Sequence, residues 1–330
     1  MRALMLRELG EPENLALEDV PAPVPGPGEV LVDIHTAAVN FPDLLTVQGK
    51  YQVRPDLPFV PGKEGAGVVA VIGDGVRRLK PGDRVMVQVE YGSFAEQAVA
   101  PEPDCYLMPD AIGFDDAAAI GIAFQTAHFA LVDRAGVQAG ETVLVTGASG
   151  SVGIAAMQLA KLFGCRVIAG LTTMAKQADA RENGADEVID LSGDNARDAV
   201  RDQVMALTGG QGVDVVIEII GGEVFAGALR SLAFCGRLVV VGFTSGEIPE
   251  MRVNYVLLKN IAVTGVDRGQ YRAREPDWMR RVQDEIFGYC ADGRVRLPIQ
   301  ARLPMDRFID AFDIIRNREV RGKVLLGIRD

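Results

Sequence analysis

Three glycines, Gly147, Gly150 and Gly153, punctuate the stretch VLVTGASGSVGIAAMQLA. At that spacing, between an apolar run and a helical repeat, they are suited to cradling a pyrophosphate. The first permits a tight turn, the second lets the backbone approach the phosphates, and the third lets helix pack on strand. Ser151 and Val152 would open the helix whose free N–H groups face the anion. The acid that takes a ribose 2′-hydroxyl belongs at the end of the next strand, but VIAGLTTMAK places Leu171 there. Thr172, Thr173 and Lys176 offer two hydroxyls and a point charge to a 2′-phosphate instead. NADPH is therefore expected over NADH. Taken singly, the threonines would serve equally as helix caps and Lys176 as a solvated charge.

A second chemical group is FVPGKEGAGVV, where Lys63 and Glu64 are wedged between glycines. Around it, metal ligands are scarce. The chain has two histidines, His35 and His128, and four cysteines (Cys105, Cys165, Cys235, Cys290), none in a ligand spacing. That excludes structural zinc of the usual kind. A net charge of −11 argues against nucleic acid, which needs clustered positive potential. No apolar run nears the ~20 residues of a membrane span, and MRALMLRELGEPENLALEDV carries acids where a signal peptide has an apolar core. A cytoplasmic setting is expected.

These residues must be positioned by two kinds of element. The first third alternates turns with short strands. PGPGEVLVDIHTAAV puts Val30, Val32 and Ile34 on one face, and KPGDRVMVQVEYG does the same with Val85, Val87 and Val89. That pattern points to a small barrel or sandwich. From about Thr126, apolar runs (ETVLVTG, CRVIAG, DEVID, GVDVVIEII, GRLVVVG, NIAVTGV) alternate with helical segments, the pattern of a doubly wound parallel sheet. The tail carries two amphipathic helices, one with Trp278, Val282 and Ile286, the other with Phe308, Ala311, Phe312 and Ile315, before a last strand GKVLLGI. The expected fold is α/β: a β-rich domain over 1–123, completed by 266–330, and a dinucleotide-binding domain over 124–265.

In this order PGPGEVLV, VPGKEGAGVV, PGDRV, TGASGSVG and RGKVLL resemble the medium-chain dehydrogenase/reductase superfamily, which joins a GroES-like catalytic domain to a Rossmann domain. VNFPDLLTVQGKY is similar to a segment of its zinc-free NADPH:quinone oxidoreductase branch, the zeta-crystallin-like proteins. The resemblance implies that zinc-dependent relatives carry cysteine at Asn40 and histidine at Lys63. Lysine is no zinc ligand, so the metal is expected to be absent, with Glu64 kept as a structural acid and Lys63 non-catalytic. Without a Lewis acid, alcohol oxidation becomes difficult, whereas a quinone or α,β-unsaturated carbonyl disperses the arriving charge itself.

Further roles follow from residue type and position, and for Thr126 and Lys323 from the resemblance. Asn40 would donate to the acceptor oxygen or the nicotinamide ribose. Tyr51 would bind the acceptor and supply a proton, or be a half-buried loop aromatic. Asp43 is expected to cap the helix opened by Pro42. Thr126 would face the nicotinamide or bond its own helix. Gly242, Phe243 and Ser245 follow the fifth strand on the nicotinamide side. Lys323 would lie near the cofactor or on the surface. Arg268, where close relatives carry an aromatic, would bind an anionic acceptor or a CoA phosphate. His128 reads as a core or helix-face histidine. The expected activity is NADPH-dependent reduction of a quinone or enone. An enoyl-thioester reductase and a non-enzymatic NADPH-binding structural or RNA-binding protein are the alternatives. Pairing of NIAVTGV across a two-fold axis would make a homodimer.

Overall fold

The computed structural model describes residues 1–193 and 195–329. The chain divides into two compact units: Met1–Ile122 with Tyr271–Asp330, and Ala123–Gln270.

The first unit opens with an antiparallel pair, β1 (Arg2–Leu6) and β2 (Leu15–Asp19). β3 (Glu29–Val39), α1 (Phe41–Val47), β4 (Glu64–Ile72), β5 (Arg84–Gln88), β6 (Gln97–Pro101) and β7 (Cys105–Leu107) follow. α2 (Phe114–His128) runs from one unit into the next. The second unit then alternates β8 (Thr142–Thr146), α3 (Ser151–Leu162), β9 (Arg166–Leu171), α4 (Gln177–Glu182), β10 (Glu187–Asp190) and α5 (Ala196–Leu207). It continues with β11 (Val213–Glu218), α6 (Gly222–Ser231), β12 (Leu232–Val240), α7 (Asn254–Lys259) and β13 (Ala262–Gly265). After α8 (Arg268–Arg274), the tail adds α9 (Pro276–Ala291), β14 (Ile299–Pro304), α10 (Phe308–Arg316) and β15 (Lys323–Gly327) to the first unit.

In the second unit the sheet order is β10-β9-β8-β11-β12-β13, every neighbouring pair parallel. Numbered within the unit this is 3-2-1-4-5-6, the doubly wound order, which reverses between β8 and β11. Strands covered on both faces read as unbroken apolar runs, and Val143, Leu144 and Val145 are fully buried. The Rossmann alternation is thus realised strand for strand.

In the first unit the sheet runs β14-β15-β3-β4-β5-β7, with β6 also paired to β3. Val30, Val32, Ile34, Val85, Val87 and Val89 are all buried, as their alternation requires. The register is what matters for the site. Val324 of β15 stands opposite Val39, and Glu64 of β4 stands opposite Ala38. Three adjacent strands therefore bring Asn40, Glu64 and Lys323 together from distant parts of the chain.

α10 buries Phe308, Ala311, Phe312 and Ile315. α9 differs from the sequence expectation. Its buried stripe is Met279, Val282, Gln283, Ile286 and Phe287, while Trp278 is 38% exposed. Trp278 instead lies against a cation, with the Arg281 guanidinium 5.3 Å from its ring centre. One residue of angular offset moves the tryptophan off the face that Val282 and Ile286 define.

Candidate functional site

β8 ends at Thr146, and Gly147 turns the chain with φ +66°. At that positive φ a side chain would be strained, so the turn demands glycine. Gly150 is the N-cap of α3 and makes no side-chain cap, and the positive end of this 12-residue helix favours an anion there. A Cβ on Gly150 would have its nearest neighbour 3.6 Å away, so this face of the loop is open. Gly153 is the opposite case: a Cβ there would overlap the Gly147 carbonyl oxygen and lie 2.7 Å from Ala148 Cα. Ser151 and Val152 are half-buried at the helix start. These residues fit the pyrophosphate of a dinucleotide.

The end of β9 places buried Leu171 where a ribose-binding acid would stand. Thr172 is exposed, Thr173 is half-buried at the N-cap of a short 3₁₀ turn, and Lys176 ends that turn. Lys176 is buried, which corrects the reading of it as a solvated charge.

Glu218 was not anticipated. It ends β11 at the sheet's switch point with no exposure, and accepts the N–H of Ile220 at 3.0 Å and of Gly221 at 2.9 Å. The Thr146 hydroxyl donates to it at 3.2 Å and accepts the Ile219 N–H at 2.9 Å. Burial raises the Glu218 carboxyl, and those donors oppose the rise. Its signal in the sequence was an acid closing an apolar strand immediately before two more apolar residues and a glycine pair. The loop it braces is tied to the next one: Thr244 N–H donates to Ile219 O at 3.1 Å and Ser245 N–H to Ile220 O at 2.9 Å. Gly242, Phe243 and Ser245 are half-buried on this second loop. Thr126 is buried within α2, His128 is a buried residue at its end, and Arg268 is half-buried at the start of α8.

The first unit holds a cluster of charge. Lys323 has no exposed side-chain surface; its ammonium pairs with Glu64 Oε1 and donates to Asn40 Oδ1 at 2.7 Å. This overturns its reading as a surface lysine. Asn40 Nδ2 donates to Glu64 Oε1 at 3.1 Å and to Ala38 O at 3.3 Å. Glu64 Oε2 takes the Ile122 N–H at 2.7 Å. α2 comes close here through Gly121, where a Cβ would sit 2.9 Å from Glu64 Oε2.

Asp43 performs the expected cap, its Oδ2 accepting the Asn40 backbone N–H at 2.8 Å. Its Oδ1 is buried without a hydrogen-bond partner. Burial drives the Asp43 carboxyl up to about 6, against the pull of Lys63, the Asn40 N–H and Lys323. Lys63, also buried, donates to Glu90 O at 3.0 Å, and its ammonium lies 4.3 Å from the ring centre of Tyr51.

Folded Asp43 keeps its proton up to about pH 6, while the unfolded side chain releases it near 3.8. The folded form binds the proton more tightly, so this contribution to stability is full below 3.8 and lost as pH rises through about 6. Asp43→Asn preserves an acceptor for the Asn40 N–H and removes the slope. Between about pH 4 and about pH 7 the variant should gain on the wild type by on the order of 2–3 kcal/mol. Urea unfolding at several pH values measures this; a pH-independent difference between the two proteins would contradict it.

The donor set around Glu64 does not fit a zinc ion. Both carboxylate oxygens are already engaged, and Asn40 Oδ1 faces the Lys323 ammonium. A divalent cation would meet like charge and few free lone pairs.

Two family models match the chain, the alcohol dehydrogenase GroES-like domain over residues 26–110 and the zinc-binding dehydrogenase over residues 151–284. The quinone oxidoreductase-like protein 2 homolog of Nematostella vectensis is 38% identical, with 99% of this chain and 89% of the relative covered. The quinone oxidoreductase of Sus scrofa is 34% identical, covering 99% and 97%. The structure is similar to that of Escherichia coli quinone oxidoreductase complexed with NADPH, with TM-score 0.92, 27% identity and 99% of each chain covered. With both domains matched and the identity spread over the whole length, the chain belongs to the quinone oxidoreductase-like branch of the medium-chain dehydrogenase/reductase superfamily.

Proposed function

We propose that the protein is an NADPH-dependent, zinc-independent reductase that transfers a hydride to a quinone or to a carbonyl conjugated with a C=C bond. The observation that supports this reading is the Lys323–Glu64–Asn40 cluster, in which a buried ammonium engages the carboxylate and the amide that would otherwise be open to a metal able to polarise an alcohol. An acceptor that delocalises its own negative charge suits such a site. When bound, NADPH supplies the hydride. The glycine loop and the first turn of α3 hold its pyrophosphate, and Thr172, Thr173 and Lys176 receive the 2′-phosphate. Thr126, Gly242, Phe243 and Ser245 serve the nicotinamide side. Asn40, Tyr51 and Arg268 serve the acceptor, with Tyr51 giving the proton.

Initial rates of NADPH oxidation with a quinone, an enone, crotonyl-CoA and no acceptor test this. Turnover of the quinone or enone is expected. Tight NADPH binding without turnover of any acceptor, or oxidation of simple alcohols in their place, would sink it. Thr172→Glu checks the nucleotide assignment: a carboxylate beside the 2′-phosphate should weaken NADPH by about tenfold or more and NADH far less. Fluorescence titration with both nucleotides measures the ratio; equal losses would remove these residues from the 2′-phosphate site.

The second unit's surface supports the reading of a homodimer. β13 is an edge strand, and α7 with its approach exposes Ile248, Val253, Leu257 and Leu258, the last two 77% and 71% accessible. Phe234 on neighbouring β12 is 75% exposed. Unpaired strand edges beside apolar side chains favour a second copy. Leu257→Glu should convert a dimer to monomer in light-scattering mass measurements; a wild-type monomer at micromolar concentration would refute the assembly.

A further inference from the structure

The Lys63 ammonium is buried with its side chain only 5% exposed, yet it makes one short hydrogen bond, to Glu90 O at 3.0 Å. The Glu90 carboxylate lies 3.5 Å away and is drawn off by Arg272, which pairs with its other oxygen and donates to Gln88 O. The remaining face of the ammonium looks onto the ring of Tyr51 at 4.3 Å. A buried cation with spare donor capacity is costly unless something compensates it. A ring is a modest partner for a cation, and the electron-rich ring of a phenolate is a much better one.

We propose that Lys63 is a positioning residue for Tyr51, its ammonium held under the ring to receive the negative charge that the phenol acquires on giving up its proton. This rests on the reductase reading above. Arrival of the hydride leaves an electron pair on the acceptor oxygen. The Tyr51 O–H bond breaks, its proton forms the new O–H bond of the product, and the electron pair left on Tyr51 makes a phenolate over Lys63. A solvent proton then restores the phenol. Charged groups near Lys63 are Glu90 and Asp43, which oppose the phenolate, Arg272, which draws Glu90 away, and, next to Asp43, the Glu64–Lys323 pair, whose charges balance.

Tyr51 can be watched directly. The phenolate absorbance of wild type minus that of Tyr51→Phe isolates it from the five other tyrosines among six. Tyr51 should ionise about one pH unit lower in the wild type than in Lys63→Met, with Lys63→Arg close to the wild type. For quinone reduction, Lys63→Met should lower kcat about tenfold and move the basic limb of the pH profile, with KM for NADPH unchanged. An identical Tyr51 titration in Lys63→Met would overturn the proposal. So would a wild-type Tyr51 that ionises at or above the ordinary phenol value of about 10, a readout that needs no folded Lys63 variant. A shifted Tyr51 in a protein that reduces no acceptor would instead support the pairing and remove the reductase reading.

Discussion

Lys323→Met should cost about 3–5 kcal/mol of stability, because it leaves Glu64 charged and uncompensated in the interior. Lys323 and Glu64 have no exposed side-chain surface, and Asn40 hangs on both. Removing the ammonium also strips Asn40 Oδ1 of its donor and frees the junction of β15, β3 and β4. The loss should be largely recovered in Lys323→Met/Glu64→Gln, where no charge is stranded, although the single variants each fall short. Urea unfolding of the four proteins provides the cycle. A Lys323→Met chain within 1 kcal/mol of wild type would mean that the pair is not the electrostatic keystone of this unit, a threshold at the edge of ordinary surface effects of about 0.5 kcal/mol.

Gly153→Val should abolish useful nucleotide binding. The added side chain has no room between α3 and the turn after β8, where even a Cβ would overlap Gly147 O and sit 2.7 Å from Ala148 Cα. Those contacts are backbone, so relief requires pushing α3 off the sheet, which moves its first-turn N–H groups away from the phosphates. Overpacking of this kind costs about 1–3 kcal/mol in stability. The binding loss should be larger, on the order of 100-fold in Kd for NADPH, because several anion contacts move together. Fluorescence titration measures it, with thermal melts as the control for folding. An unchanged Kd in a folded variant would detach the pyrophosphate from this loop.

The two sites were unequally legible. The glycine loop is local: its turn, cap and close packing all fall within Gly147–Gly153, so a sequence pattern carries the geometry. Leu171 was equally readable, since the end of a strand fixes where the missing acid would stand. The cluster around Glu64 depends on register. Nothing near Lys323 announces that β15 lies against β3, which sets its ammonium on residues more than 250 positions away in the chain. An isolated lysine in RGKVLL therefore read equally well as surface. Lys63 stood out in the sequence as a departure from a zinc-binding pattern but not as the neighbour of Tyr51, because the loop between α1 and β4 has no periodicity to orient its side chains. Glu218 was hidden by the strength of its surroundings: VDVVIEII scans as a buried strand, and the acid passes as one polar residue in it. Trp278 shows the converse error, since a large apolar residue at roughly helical spacing was assigned to a core face that its neighbour Met279 occupies.

The proposal that the protein reduces its acceptor without a metal is tested most directly by stripping the protein of metal. NADPH-dependent quinone turnover and zinc content should be measured on one sample before and after exhaustive chelation. An undiminished rate with far less than one zinc per chain is expected from the Lys323–Glu64–Asn40 arrangement. A rate that falls with the zinc and returns on its readdition would contradict it.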